Sequence, residues 1–500
     1  MNNMKKHLVF ILISFVVWSV NAQQDKEPFN KKAREQYEAF KRQAKENYDS
    51  FRDNANKSYA EFVERAWKTY KGEEPFVQKE EKPFPPVIMP EEEKNTPLQD
   101  NVKPIEEFIK PQPVTPQPQP IEPIKEEKKD DDKGQTFSFM FYGTDIRTTF
   151  FDDYKFSLQG IEAKDIAEAW KNLSSSKYKH LINECLRVRE EYVLNDWAYL
   201  QMLDKFSENI IGRQSNEATL LMAYLYCQSG YKMRLAESDK KLYMLYSSKS
   251  IVYGVDYFIV DADLYYLYKG EKLEYVKICE ASFPQEKEMS FQLRKQPLFS
   301  IQTSSYRELK SERYPEVKAN VRVNKNLIDF YDKYPSSTIN RDFGTRWAMY
   351  ANAPLSKEAK ETLYPALQKS LQGKTKKEKA EILLNFVQTS LVYEYDDTVW
   401  GTDRAFFAEE TLFYPYADCE DRAILYSRLV RDLLGIKAVL IYYPNHLATA
   451  ICLDTPEVKG DYILVNDKKY YIADPTYIGA PIGVQMSELK DESIKVISLD

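Results

Sequence analysis

Phenylalanine, alanine and tyrosine each recur at intervals of eleven: Phe29, Phe40, Phe51 and Phe62; Ala33, Ala44, Ala55 and Ala66; Tyr37, Tyr48, Tyr59 and Tyr70. Such a repeat places the three classes on one face of a helix with about 3.67 residues per turn. It predicts an amphipathic helix over residues 23–71, whose repeat would be about 66 Å long at about 1.5 Å per residue. Between Gly72 and Lys133 the periodicity vanishes, and this stretch carries thirteen of the chain's 25 prolines. Helix and central strand are excluded there, which predicts a semi-rigid, polyproline-like disordered linker over 72–135. Helical spacing returns at 162–170, 180–194, 197–211 and 217–228, and aromatic and β-branched runs between 241 and 298 then predict strands. Helix-then-strands recurs from about Lys357, with Tyr334-Pro-Ser-Ser as a boundary. The expectation is an α+β body in two parts, 136–340 and 341–500.

Residues 1–22 combine Lys5-Lys6, an apolar run from Leu8 to Val17 and a small-residue ending Val20-Asn21-Ala22. This is the pattern of a signal peptide and predicts a secreted or periplasmic protein. No later run approaches the ~20 apolar residues of a membrane span. An exported compartment permits disulfides, yet five cysteines are an odd number, so at least one is left without a partner in the chain. With 37 Tyr and 26 Phe a sizeable core is available, while a net charge of −7 argues against a nucleic-acid partner. Three histidines and no Cys-x-x-Cys pair predict no metal site, and no cofactor is implied. Asp130-Asp131-Asp132 reads as linker chemistry. The Phe/Tyr stripe of residues 29–70 is balanced in charge, which favours a partner helix or self-association over a membrane surface.

The chemistry concentrates near position 419. Apolar residues from Ala423 to Leu434 follow helical spacing, Gly435 suits a left-handed helix end, and Asp418 suits an N-cap. Cys419 then sits at a helix N-terminus, where unpaired N–H groups favour thiolate and could hold an oxyanion. Downstream, 437–443 and 446–452 read as strands joined at Pro444-Asn445, with His446, Ala448, Ala450 and Cys452 on one face. The small alanines suggest that the helix packs against that face. A further strand, 469–474, ends in Asp474-Pro475-Thr476. A nucleophile on a helix tip, a base on one strand and a carboxylate on the next form an activated-nucleophile set: Cys419 attacks an acyl carbon, His446 takes its proton and Asp474 fixes the imidazole tautomer. Glu420 and Asp421 read as first-turn acids, Trp400 and Tyr416 as wall or core aromatics, Cys452 as packing and His180 as a solvated residue.

Asp418-Cys419-Glu420-Asp421, His446-Leu-Ala-Thr-Ala and Ala473-Asp474-Pro475-Thr476, in that order, resemble the transglutaminase-like superfamily, over about 375–485. The resemblance implies a papain-like Cys-His-Asp fold with the Cys helix packed on an antiparallel sheet, and Gln388 as a candidate oxyanion-supporting side chain. It implies a thiol-dependent hydrolase or acyltransferase acting on protein or peptide amides, a cysteine peptidase or amidase ahead of glutamine acyl transfer. Some relatives are catalytically inactive scaffolds that bind a protein or envelope partner. His446-Leu447-Ala448 departs from the His-Ala-aromatic of many relatives, on the acyl-acceptor side. Residues 216–235 echo the Cys helix, glycine and strand, with Ser215 or Asn216 where the cysteine would fall and no histidine in register; 136–340 is thus either an unrelated α+β domain or a degenerate copy.

Overall fold

The computed structural model describes residues 27–78, 82–94, 96–113, 115–120, 135–150, 154–270, 272–455 and 458–500. The expected signal peptide and the end of the linker, 121–134, lie outside the described residues. The fold is α+β and divides into two units, Met1–Phe51 and Arg52–Asp500. In the first, the described residues belong to the opening turns of the helix Glu27–Val63, with Tyr37, Phe40 and Phe51 exposed.

In the second unit the helix continues to Val63, burying Ala55, Tyr59, Ala60 and Val63. Tyr59 packs on Trp170 with ring centroids 4.5 Å apart. The expected helix to residue 71 stops eight residues short. The Trp67 indole N–H donates to the Val63 carbonyl (2.6 Å), closing the last turn. The chain then enters the strand Trp67–Lys71, which pairs with Tyr275–Cys279. Tyr70, expected on the helix stripe, is a strand residue hydrogen-bonded to Glu280.

The linker expectation also needs correcting. Val87–Ile88 pairs with Tyr477–Ile478, Asn101–Val102 with Asp461–Val465, and Ile105–Ile109 with Ile494–Ser498, all in parallel. Pro86, Pro90, Pro104 and Pro111 bracket these short strands rather than interrupt them. The strands lie at sheet margins, where an N–H lost to proline costs least.

Two sheets carry the body. The first runs in the order Trp67–Lys71, Tyr275–Cys279, Met233–Ser238, Lys241–Ser247, Asp263–Leu267, Tyr257–Val260. The second runs Asn101–Val102, Asp461–Val465, Lys468–Ala473, His446–Ile451, Ala438–Tyr443, Ile494–Ser498, Ile105–Ile109. Its five inner strands are antiparallel. Its two outermost strands are separated in sequence by only Lys103 and Pro104, a link of at most about 11 Å, so the sheet curls until its margins meet. The buried Lys103 ammonium donates to the carbonyls of Leu489 (2.9 Å) and Lys490 (2.5 Å) across that closure.

Ala448 and Ala450 belong to an apolar cluster with Met89, Ile463 and Ile472. Leu447 and Ile451, on the opposite face, join the main core with Leu425 and Leu429 of the Cys helix, and the Thr449 hydroxyl donates to the Ala423 carbonyl (3.2 Å). The helix therefore packs on the Leu447/Thr449/Ile451 face, not on the alanine face: bulkier side chains fill the space beneath it. The main core is continuous from Ala55 to Ile497, so position 340 marks no break between domains.

Candidate active site

Cys419 opens the helix Cys419–Leu434. Asp418 caps it, accepting from the N–H groups of Glu420 (3.0 Å) and Asp421 (3.4 Å), and the Asp421 carboxylate accepts from Asp418 N–H (3.3 Å). Gly435 ends it at φ +61°, a left-handed conformation that a side chain would strain. His446 starts the strand His446–Ile451 immediately after Asn445, whose φ of +62° makes the tight turn from Tyr443. Asp474 directly follows the strand Lys468–Ala473, which pairs with the histidine strand at Thr449 and Ala473.

These neighbouring strands bring His446 Nε2 to 2.8 Å from Asp474 Oδ2. The other carboxylate oxygen, Oδ1, accepts from Thr476 N–H (2.8 Å), so the Asp-Pro-Thr turn orients the carboxylate. A carboxylate on Nε2 holds the ring proton there and turns the lone pair to Nδ1. Nδ1 is buried and makes no hydrogen bond among the described residues. Cys419, His446 and Leu447 line one cavity of about 420 Å³, together with Trp347, Phe343, Tyr442 and Arg346. Its aromatic wall is thus Trp347, Phe343 and Tyr442, and Trp400 and Tyr416 are not part of the lining.

The electrostatics at Cys419 run against the expected helix-dipole effect. Burial pushes the thiol well above its ordinary value, the Asp418 carboxylate adds to that, and a hydrogen bond from Leu447 N–H opposes it. The dipole's N–H groups are already spent on Asp418, which also removes the Glu420 and Asp421 N–H groups as oxyanion donors.

Gln388 does not face the cavity. Its Nε2 lies 3.1, 2.7 and 3.1 Å from the carbonyl oxygens of Asp474, Tyr477 and Ala480, and its Oε1 accepts from Gly479 N–H (3.3 Å). The expected oxyanion role gives way to holding the loop that carries Asp474. Arg422, fully buried, ties the Cys helix to the carbonyls of Gln388 (3.0 Å) and Leu391 (2.8 Å).

In comparisons with known proteins, no family model matches this chain and no curated protein matches it.

Glu420 is more than a first-turn acid. It accepts from the Trp347 indole, and its carboxylate lies 3.5 Å from the buried Arg346 guanidinium, which also stands 3.7 Å from Asp403. One ligand atom each from Asp396, Asp403 and Glu420 falls within 4.8 Å of the others, a grouping that could hold a cation; Arg346 already brings positive charge to it. Burial and Glu420 push the Asp396 carboxyl up to about 8. Sequence reasoning missed Arg346, Trp347 and Asp403, because their partners come from distant segments and no local motif marks them. It also missed Phe84, whose ring stands edge-on to the His446 imidazole with centroids 6.4 Å apart. His180, expected to be solvated, is half-buried with Nδ1 3.4 Å from the Tyr154 hydroxyl. All five cysteines are free, and no described helix is long and apolar enough to cross a membrane.

Proposed function

We propose that this chain is a transglutaminase-like thiol enzyme of the exported kind, a hydrolase or acyltransferase acting on amide bonds of proteins or peptides. The observation that carries the reading is the His446 imidazole, held by Asp474 at 2.8 Å through Nε2, with Nδ1 unpartnered, and lining the same cavity as Cys419. In the reaction, Nδ1 takes the Cys419 thiol proton as sulfur attacks the amide carbon. The leaving amine departs with that proton, and water, or an acceptor amine, then resolves the thioester. Asp474 keeps the imidazole in the tautomer this requires and offsets the charge of the imidazolium.

The test is labelling with iodoacetamide, located by mass spectrometry. Modification of Cys419 that is faster in the wild type than in His446→Ala and Asp474→Ala supports the triad. A rate indifferent to both substitutions rejects it. A second reading, an inert scaffold that binds a protein or envelope partner, is favoured by one observation: the buried, acid-flanked Cys419 thiol is held in its neutral form. Turnover of a peptide-amide library by the wild type but not by Cys419→Ala decides against the scaffold.

A further inference from the structure

Cys419 is 3% exposed and His446 1%. An acyl carbon must come within about 3–3.5 Å of sulfur to react, so the site as it stands has to open before a polypeptide can enter. The element laid across it is the proline-bracketed segment Lys82–Met89. Phe84 N–H donates to the carbonyl of Asn445 (3.0 Å), the residue before His446, and the Phe84 ring packs against the imidazole. Val87–Ile88 pairs with Tyr477–Ile478, and Met89 N–H donates to the Ile478 carbonyl (2.9 Å), three to four residues beyond Asp474. The segment thus hangs from the two loops that carry the base and its carboxylate. Pro83 of the segment is part of the cavity lining.

Its anchor is Met89, buried in the apolar cluster with Ala448 and Ile463, with Phe84 and Val87 packed against that cluster; its backbone attachment is light. Pro83, Pro85 and Pro86 have no N–H to donate, and the paired strand is only two residues long. Beyond these bonds, the Tyr393 hydroxyl donates to the Phe84 carbonyl (2.8 Å) and the Lys82 ammonium lies 5.2 Å from the centre of the Tyr395 ring. By contrast, the neighbouring hairpin Ala438–Tyr443/His446–Ile451 is paired along six residue pairs. A short stretch with few backbone bonds is the kind that opens locally without global unfolding.

We propose that Lys82–Met89 is an in-cis cover that keeps the site latent, and that its displacement admits substrate to Cys419; this rests on the catalytic reading of Cys419 and His446. Displacement also changes the chemistry. Burial is the largest influence holding the thiol neutral, so rehydrating the sulfur relaxes it.

The experiment compares Cys419 alkylation by iodoacetamide in the full-length wild type, Phe84→Ala and Tyr393→Phe, with thermal melts alongside. Tyr393→Phe keeps the ring that faces Arg422 and deletes only the bond to the cover, so it reports even if Phe84→Ala does not fold. The expected result is alkylation about 10-fold faster in Phe84→Ala and about 3-fold faster in Tyr393→Phe, with Phe84→Tyr near wild type, as a shifted opening equilibrium requires. Rates within twofold of wild type, or slower, in the folded variants overturn the cover. Placing His446→Ala in the Phe84→Ala background separates the two claims. Acceleration that persists undiminished without His446 upholds the cover and overturns the triad, whereas His446 dependence with no effect of Phe84 or Tyr393 does the reverse.

Discussion

The body holds two helix-and-sheet regions with one strand order. After the helix Asn216–Gln228 come Met233–Ser238, Lys241–Ser247, Tyr257–Val260, Asp263–Leu267 and Tyr275–Cys279; after Cys419–Leu434 come Ala438–Tyr443, His446–Ile451, Asp461–Val465, Lys468–Ala473 and, later, Ile494–Ser498. In both, the second strand pairs with the first and the fourth, the third lies outside the fourth, and the fifth lies beside the first. The positions of Cys419, His446 and Asp474 are filled differently. Asn216 opens the first helix where Cys419 opens the second, Lys241 starts the strand that His446 starts in the other, and Tyr268 follows the strand matched by the one before Asp474. Even a small contact recurs: Asn216 Oδ1 accepts from Leu242 N–H (2.9 Å), and the Cys419 sulfur takes the N–H of Leu447, each the second residue of its strand. The scaffold is therefore separable from the side chains it carries: the same strand order holds Asn216, which spends its side chain on a hydrogen bond to Leu242 N–H, in one region and Cys419 in the other.

The largest effect that would break this comparison is at the nucleophile. Cys419→Ala is expected to lower amide turnover by about 10³-fold or more, whereas Asn216→Ala leaves it unchanged; turnover lost in both would mean that the first region takes part in catalysis. Next, Asp474→Asn is expected to cost about 10²–10⁴-fold in kcat with little change in KM, because the wrong tautomer turns a proton rather than a lone pair toward sulfur. Gln388→Leu leaves three carbonyls of the Asp474 loop without their donor and is expected to cost about 2–3 kcal/mol in urea unfolding, with a fall in kcat that follows loss of loop order; a variant as stable as wild type removes Gln388 from that role.

The acidic group sharpens the comparison through pH. Asp396, raised by burial from 3.8 to about 8, keeps its proton in the folded state over a window where the unfolded chain has lost it. The unfolded state binds fewer protons there, so stability falls as pH rises between about 4 and 8. Asp396→Asn is expected to flatten that decline, with a melting point about 5 °C or more above wild type at pH 8.5 and little difference at pH 4. The smallest effect is at Asn216: removing its bond to Leu242 N–H is expected to cost about 1 kcal/mol, with Cys419 labelling unaltered.

Local signals made the Cys helix legible. Asp418 and Gly435 announce its ends, and the Pro-Asn turn and Asp-Pro-Thr close the strands that carry His446 and Asp474. The proline count misled because it describes what a segment cannot do alone; Asn101–Val102 and Ile105–Ile109 become strands only because finished strands offer them a margin. The Arg346 group was illegible for the same reason. Its members come from 346, 396, 403 and 420, and no spacing in one segment reveals a guanidinium that the Asp403 and Glu420 carboxylates will flank. The same holds for Gln388, whose partners lie 86 to 92 positions away.

Asn101 meets Asp461 across 360 positions, and this pairing helps to seal the curled second sheet. On the ribosome, at about 5–20 residues per second, the early half of the seam waits on the order of tens of seconds for the late half to emerge. A fragment beginning at 341, the expected start of the second part of the body, lacks the ribbon 101–109 altogether. Its cylinder would stay unzipped with two bare flanks, and such a fragment is expected to clump during purification while the intact chain remains in solution.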